Sequence, residues 1–144
     1  MALQLIDTHC HWQSRRFDAD RAALEARAAE RGLALGLIAA GGPDDWGRCL
    51  ELARSSRWCA GLGVHPLFSA RAGEDAPQRL REALAAALAA PGCRVAAVAE
   101  IGIDGLDASL EPARQEALFA EQLKVARDFG LPVSVHARRA ADRV

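Results

Sequence analysis

The chain holds four histidines, and each follows a short apolar run. His9 and His11 leave the run Leu3-Gln4-Leu5-Ile6, His65 closes Gly61-Leu62-Gly63-Val64, and His136 closes Val133-Ser134-Val135. Glu100 follows Val95-Ala96-Ala97-Val98-Ala99 in the same way. Imidazole and carboxylate are the ordinary ligands of a borderline divalent cation. In a strand, successive side chains alternate faces, so Asp7, His9 and His11 share one parity, with the two imidazoles roughly 6–7 Å apart along the backbone. A carboxylate behind five small apolar residues is costly to bury unless it meets a cation or hydrogen-bond donors. One cation fits His9, His11 and Glu100; a second, sharing Glu100 and taking His136, would lie about 3.5–4 Å from the first. Such a centre activates water and stabilises charge on a phosphoryl or carbonyl oxygen, which makes hydrolysis the natural reaction class. Each residue alone also has a plain structural role, as a turn or core histidine or a loop-capping glutamate.

The residues around this set have more than one reading. His65 donates a hydrogen bond to substrate or simply holds a turn whose exit Pro66 fixes. Arg138 shares the parity of His136 and is placed to reach a phosphate, whereas Arg139 faces solvent. Asp7 is expected to hold one imidazole tautomer, and Asp104 either orients a ligand or begins a loop.

The elements that must position these groups alternate regularly. A strand from Leu3 is followed by a helix capped by Asp18 or Asp20 and ending near Arg31-Gly32. Leu33 to Ala40 reads as a strand buried on both faces. Asp44 caps a second helix carrying Trp46, Leu50 and Ala53, and Trp58 to Val64 is the third strand. Pro77 opens a helix with Leu80, Leu84 and Leu88 inward, and Arg94 to Ile101 is the fourth strand. The longest helix begins near Ser109-Glu111-Pro112, buries Leu118, Phe119, Leu123, Ala126 and Phe129, and stops at Gly130. Pro132 to His136 is the fifth strand. Five strands alternating with four helices make an α/β chain with a parallel sheet. Periodicity does not choose between a barrel and an open doubly wound sheet, but both bind ligands at the C-terminal strand ends.

At 144 residues the chain reads as a single domain spanning residues 1–144, with 51% hydrophobic and 26% charged residues. The net charge of −1 and the absence of tyrosine exclude a broad basic or aromatic-basic surface, and so disfavour a pure nucleic-acid-binding module. No apolar run approaches a membrane span and no secretory leader is evident, so a cytoplasmic location is expected. Cys10, Cys49, Cys59 and Cys93 form no Cys-x-x-Cys pair and are expected as free thiols, with Cys59 and Cys93 in the core.

Taken in order, Asp7-Thr8-His9-Cys10-His11, Gly63-Val64-His65-Pro66, Glu100-Ile101-Gly102-Ile103-Asp104, Arg114-Gln115, Phe119, Gln122-Leu123 and Leu131-Pro132-Val133-Ser134-Val135-His136-Ala137-Arg138 carry a family likeness. The chain resembles the TatD-type metal-dependent deoxyribonucleases, amidohydrolase-like TIM barrels. The resemblance implies a two-metal phosphodiesterase site, with His9 and His11 on one ion, Glu100 bridging and His136 on the other. It implies magnesium, manganese or zinc as the ion, DNA as substrate and 3′-to-5′ removal of nucleotides. A full barrel needs eight strands and about 250 residues. The chain therefore reads as the N-terminal portion of a barrel. The family's further histidine and its general-base aspartate have no counterpart in these residues, so the catalytic base is unassigned.

The sheet edges of such a portion are expected to be open and to invite self-association. A shortened gene product, strands supplied by another chain and an open refolded sheet all remain alternatives. Low or absent nuclease activity is expected of the chain alone. One competing reading is a related barrel hydrolase acting on a C–N or ester bond, which a carboxylated lysine would favour. The only lysine, Lys124, falls mid-helix. The other is a non-catalytic half-barrel that binds metal or a partner chain.

Overall fold

A computed structural model describes residues 4–55 and 57–144; the expected strand start at Leu3 lies outside the described residues. The strands are β1 (Leu5–Cys10), β2 (Leu33–Ala39), β3 (Trp58–Leu62), β4 (Val95–Asp104) and β5 (Val133–Arg138). Between them run α1 (Arg21–Glu30), α2 (Pro43–Leu52), α3 (Ala76–Ala89) and α4 (Pro112–Asp128), with short 3-10 turns at Arg15–Phe17 and Pro66–Phe68. All neighbouring strands are parallel and their spatial order is β1-β2-β3-β4-β5. A doubly wound sheet reverses its order at a switch point. This sheet never does, which resolves the open alternative in favour of a barrel-like arrangement. Side chains from β1 and β5 meet across its concave side, where His9 reaches Ser134.

The main core lies between the sheet and the helices. Ile38, Leu62, Val98, Ile101 and Ile103 from the strands meet Leu80 and Leu84 of α3 and Phe119 and Val125 of α4. Leu80 and Leu84 are wholly buried, each contributing about 1.5–3 kcal/mol by removal of apolar surface from water. The buried indoles keep their N–H groups paired, Trp46 to the Gly63 carbonyl and Trp58 to Glu25. The concave side is lined by small residues, Ala39, Ala97 and Ala99. Gly63 belongs to this packing, because a Cβ there would sit 2.8 Å from the Ala99 backbone.

Several expectations shift in detail. Asp20 occupies the cap position of α1 without a side-chain bond, and Asp18 instead pairs with Arg21 and Arg48. Gly42, not Asp44, precedes α2; Asp45 reaches back to the N–H groups of Gly41 and Gly42, satisfying donors the helix start leaves free. On α3 it is Ala87 rather than Leu88 that faces inward, and on α4 Gln122 rather than Leu123. Strand β4 runs on to Asp104, so Glu100 lies within the strand and Asp104 ends it. Of the cysteines, all free thiols, Cys49 is the fully buried one, while Cys59 and Cys93 are only half-buried. The outer strands expose Leu5 and Ile6 on β1 and Val133 and Val135 on β5, as an open-edged sheet requires. No described helix is long and apolar enough to cross a membrane.

Candidate metal centre

All four histidines gather around one carboxylate. Glu100 Oε2 lies 3.0 Å from His9 Nε2 and 3.5 Å from His11 Nε2, and Glu100 Oε1 lies 2.9 Å from His136 Nδ1 and 3.7 Å from His65 Nε2. The ligand atoms form two groups, His9–His11–Glu100 and His65–Glu100–His136, each with its atoms within 4.8 Å of one another. Glu100 thus divides its two oxygens between two candidate sites.

The hydrogen bonds decide which nitrogen of each ring is free. His11 Nδ1 is 3.0 Å from the Ala39 carbonyl, which can only accept, so Nδ1 carries the proton and Nε2 keeps its lone pair toward Glu100. His9 Nδ1 lies 2.7 Å from Ser134 Oγ, and a hydroxyl there can take the Nδ1 proton and leave Nε2 free for a cation. His136 Nε2 donates to Asp104 Oδ2 at 3.0 Å, leaving Nδ1 directed at Glu100. A ring nitrogen held outward by an oxygen acceptor while the other faces inward is the arrangement of metal-ligating histidine. The donor set of imidazole nitrogens and one shared carboxylate is of the kind that holds a divalent cation. The residues present fit a divalent cation.

His65 differs. Its Nδ1 accepts the backbone N–H of Leu67 at 3.1 Å, so the proton sits on Nε2, the nitrogen that faces Glu100 and His136. That nitrogen donates; it has no lone pair for a metal. Burial pushes the His65 pKa down to about 4, the nearby Glu100 charge offsetting only part of the effect, so the ring is neutral near pH 7. Of the two roles expected of His65, the structure shows the turn-holding one, its Nδ1 capping the turn at Pro66–Phe68.

Glu100 is 7% exposed. Burial by itself raises its carboxyl, but the surrounding His65, His136 and His9 rings outweigh that and hold it below the ordinary value. Asp104 is buried too; burial raises it, and the N–H of Leu106, His136 and the N–H of Asp107 bring it down. Asp104 therefore both ends a strand and orients His136. Asp7 accepts the backbone N–H of His9 at 3.0 Å and makes no imidazole contact among the described residues, so the anticipated tautomer-holding role falls to Ser134 instead. The spacing in sequence gave no hint of Ser134, which is 125 residues from His9. Arg138 is half-exposed at the rim, 3.8 Å from Asp104 Oδ2, and Arg139 faces solvent. Lys124 pairs with Glu121 on the exposed side of α4, remote in role from any bridging position.

Two buried glutamines of α4 fasten the rim. Gln122 accepts the N–H of Val64 at 2.7 Å and donates to its carbonyl at 3.1 Å, just before His65. Gln115 treats Asp104 in the same way, at 2.8 and 3.2 Å. Gly102 lets β5 approach closely: its φ is +142° and a Cβ would lie 2.1 Å from the His136 carbonyl oxygen.

Residues 6–144 match the family described as TatD related DNase. The chain is 36% identical to an uncharacterized metal-dependent hydrolase, YjjV, of Escherichia coli K12, covering 100% of this chain and 54% of that protein. It is 33% identical to a 3′-5′ ssDNA/RNA exonuclease TatD of Enterobacter lignolyticus, covering 96% of this chain and 52% of that protein. The crystal structure of the E. coli YjjV protein, a TatD homologue, superposes with a TM-score of 0.89 at 34% identity, over 99% of this chain and 54% of that one. The chain spans about half the length of these relatives.

Proposed function

We propose that this chain, which belongs to the TatD-related DNase family of metal-dependent hydrolases, binds up to two divalent cations and serves hydrolysis of phosphodiester bonds in nucleic acid, with DNA as the substrate. The observation that carries this reading is the convergence of His9, His11 and His136 on the two oxygens of Glu100, each ring with its outer nitrogen held by an oxygen. Relatives named as 3′-5′ ssDNA/RNA exonucleases support the nucleic-acid class of substrate.

In this reading His9, His11 and Glu100 hold one cation, and Glu100 with His136 holds the other. When bound, such ions stabilise negative charge on phosphoryl oxygens and acidify water. His65 keeps its proton on Nε2 and offers it to a substrate oxygen entering the site. Arg138 stands at the rim as the charge partner of a phosphate, and Asp104 keeps the His136 ring turned inward. Asp7 fixes the backbone that carries His9.

The test is metal analysis of the dialysed chain followed by exonuclease assay on 3′-labelled single-stranded DNA with manganese. One or two ions per chain with slow turnover are expected. A chain that retains no ion would overturn the reading, and an ion-bound chain that hydrolyses only amide or ester substrates would transfer it to the C–N or ester branch.

The exposed Leu5, Ile6, Val133 and Val135 favour a second reading, a half-barrel that binds metal but acts only when a further chain covers its edges. Size-exclusion chromatography separates the two, since a metal-loaded monomer with turnover belongs to the first and a turnover-dead monomer that gains activity on association belongs to the second.

A further inference from the structure

His11 lies one residue past β1: Cys10, opposite Ile38, is the last position of that strand in the ladder. Its side chain is 53% exposed and borders an open cavity of about 600 Å³. Neither the sheet nor close packing on that side fixes where the ring stands. A group that is to serve a site has to be held within about 0.5 Å of its place, so His11 needs another restraint.

The residues that follow supply it. The His11 carbonyl accepts the Ser14 N–H at 3.0 Å, closing a turn over residues 11–14. The next three carbonyls are each taken by a guanidinium. Arg21 Nη1 donates to the Trp12 carbonyl, Arg48 Nε to that of Gln13 at 2.7 Å, and Arg21 Nη2 to that of Ser14 at 3.0 Å. Asp18 Oδ1 accepts from Arg21 Nη2 at 2.8 Å and also from Arg48 Nη2, which joins the two guanidiniums. The turn is thereby fastened to the first residue of α1 and to the body of α2.

Two observations separate this arrangement from an ordinary surface ion pair. Arg21 opens α1, where the helix dipole disfavours a cation, and the first turn holds no acidic residue to offset it. Its side chain is nonetheless only 15% exposed, with the guanidinium 5.1 Å from the centre of the Trp12 ring. The contacts also use the shape of the group. Two nitrogens of one planar fork reach carbonyls two residues apart, a span that the single nitrogen of a lysine does not offer.

Resting on the metal-centre reading above, we propose that Arg21 and Arg48 are positioning residues for His11. Their guanidiniums hold the turn that carries it, so that the ring meets the Ala39 carbonyl through Nδ1 and turns Nε2 toward Glu100. They act on the metal centre through the backbone, and Asp18 aligns the pair.

The test replaces both arginines by lysine, which keeps the charge and removes the fork. Nitrogen chemical shifts of the metal-free chain report the tautomer of each ring, and a zinc titration followed at the same nitrogens reports coordination by His11 and by His136 separately. In Arg21→Lys/Arg48→Lys the His11 ring should leave its single Nδ1–H tautomer and bind zinc about tenfold more weakly, with His136 unchanged. Asp18→Asn takes away the charge between the guanidiniums but leaves their carbonyl bonds, and should keep both readings of the parent chain. A lysine variant with the parent tautomer and the parent zinc affinity at His11 would overturn the inference, whatever its stability in urea. So would equal changes at His11 and His136, or an Asp18→Asn variant as impaired as the lysine one. If the parent chain takes up no zinc while its His11 tautomer still responds to the lysine pair, the metal-centre reading fails and the positioning role stands.

Discussion

Ser134 Oγ lies 2.7 Å from His9 Nδ1, tying β5 to β1 across a sheet in which these are the two outermost strands. The contact holds the ring whose other nitrogen faces Glu100, so a single hydroxyl on β5 sets the aim of a candidate ligand on β1. Removing a partner of this kind lowers metal affinity by about 10–100-fold. Ser134→Ala should therefore weaken cobalt binding at the His9–His11–Glu100 group by about tenfold, while Ser134→Thr keeps it. An unchanged isotherm for the alanine variant would show that the ring needs no such support.

Glu100→Gln keeps the shape of the side chain and removes the charge that both candidate sites share. Metal content after dialysis should drop to near zero rather than by half. A variant retaining one ion per chain would mean that the carboxylate does not bridge.

Asp104→Asn still offers an oxygen to the N–H groups of Leu106 and Asp107 but loses the second acceptor that takes the His136 proton. Metal affinity on the His136 side should fall by about 10–100-fold, with the His9 side little changed. Nitrogen chemical shifts of the His136 ring report the tautomer directly; a ring that stays protonated on Nε2 in the variant would refute the assignment.

Gln122→Leu leaves the N–H and carbonyl of Val64 buried and unpaired, at a cost of about 2–4 kcal/mol. Gln115→Leu should do the same at Asp104. Urea denaturation measures both, and a midpoint within error of the parent protein would show that water replaces the amide.

The metal-free protein should lose stability as pH falls through the range set by His65. Its pKa is about 4 in the folded chain against an ordinary 6.5. Between those values the unfolded chain takes up a proton that the folded one refuses, so stability is full above about pH 6.5 and declines down to about pH 4. The decline from this group is at most about 3 kcal/mol. Glu100 and Asp104, both held below their ordinary values, add a loss of the same sign at still lower pH. Thermal melts of the apoprotein from pH 7 to 4.5 check this, and a flat profile would contradict it.

The order of strands and helices was readable because each type of element leaves a different mark: short apolar runs ending in polar residues, and longer stretches with apolar residues at helical spacing. The faces of the helices were less so. Leu88 and Leu123 fit a helical stripe as well as Ala87 and Gln122 do, but only the position of the sheet fixes which edge of the stripe turns inward. The buried Gln122 is chosen because two backbone groups of Val64 need partners there, a demand that does not show in local hydrophobicity. The length of β4 is hidden for a related reason: Glu100 looks like a strand end by polarity, yet the strand continues to Asp104 because the histidines give its charge a place to be buried.

By itself the sequence determined the inventory of the site: four histidines and one glutamate, each placed against an apolar run that a parallel sheet would bring to one side. Residue type and alternation along a strand are local properties, and they survive without knowledge of contacts. Tertiary structure alone decided the chemistry of each ring. Which nitrogen of a ring keeps its lone pair depends on which atom meets the other one: Ala39, Asp104 and the Leu67 N–H fix this for His11, His136 and His65, and the Ser134 hydroxyl permits it for His9. Three of those four partners lie 28 or more residues away along the chain, at separations where spacing carries no information and only folding brings the atoms together.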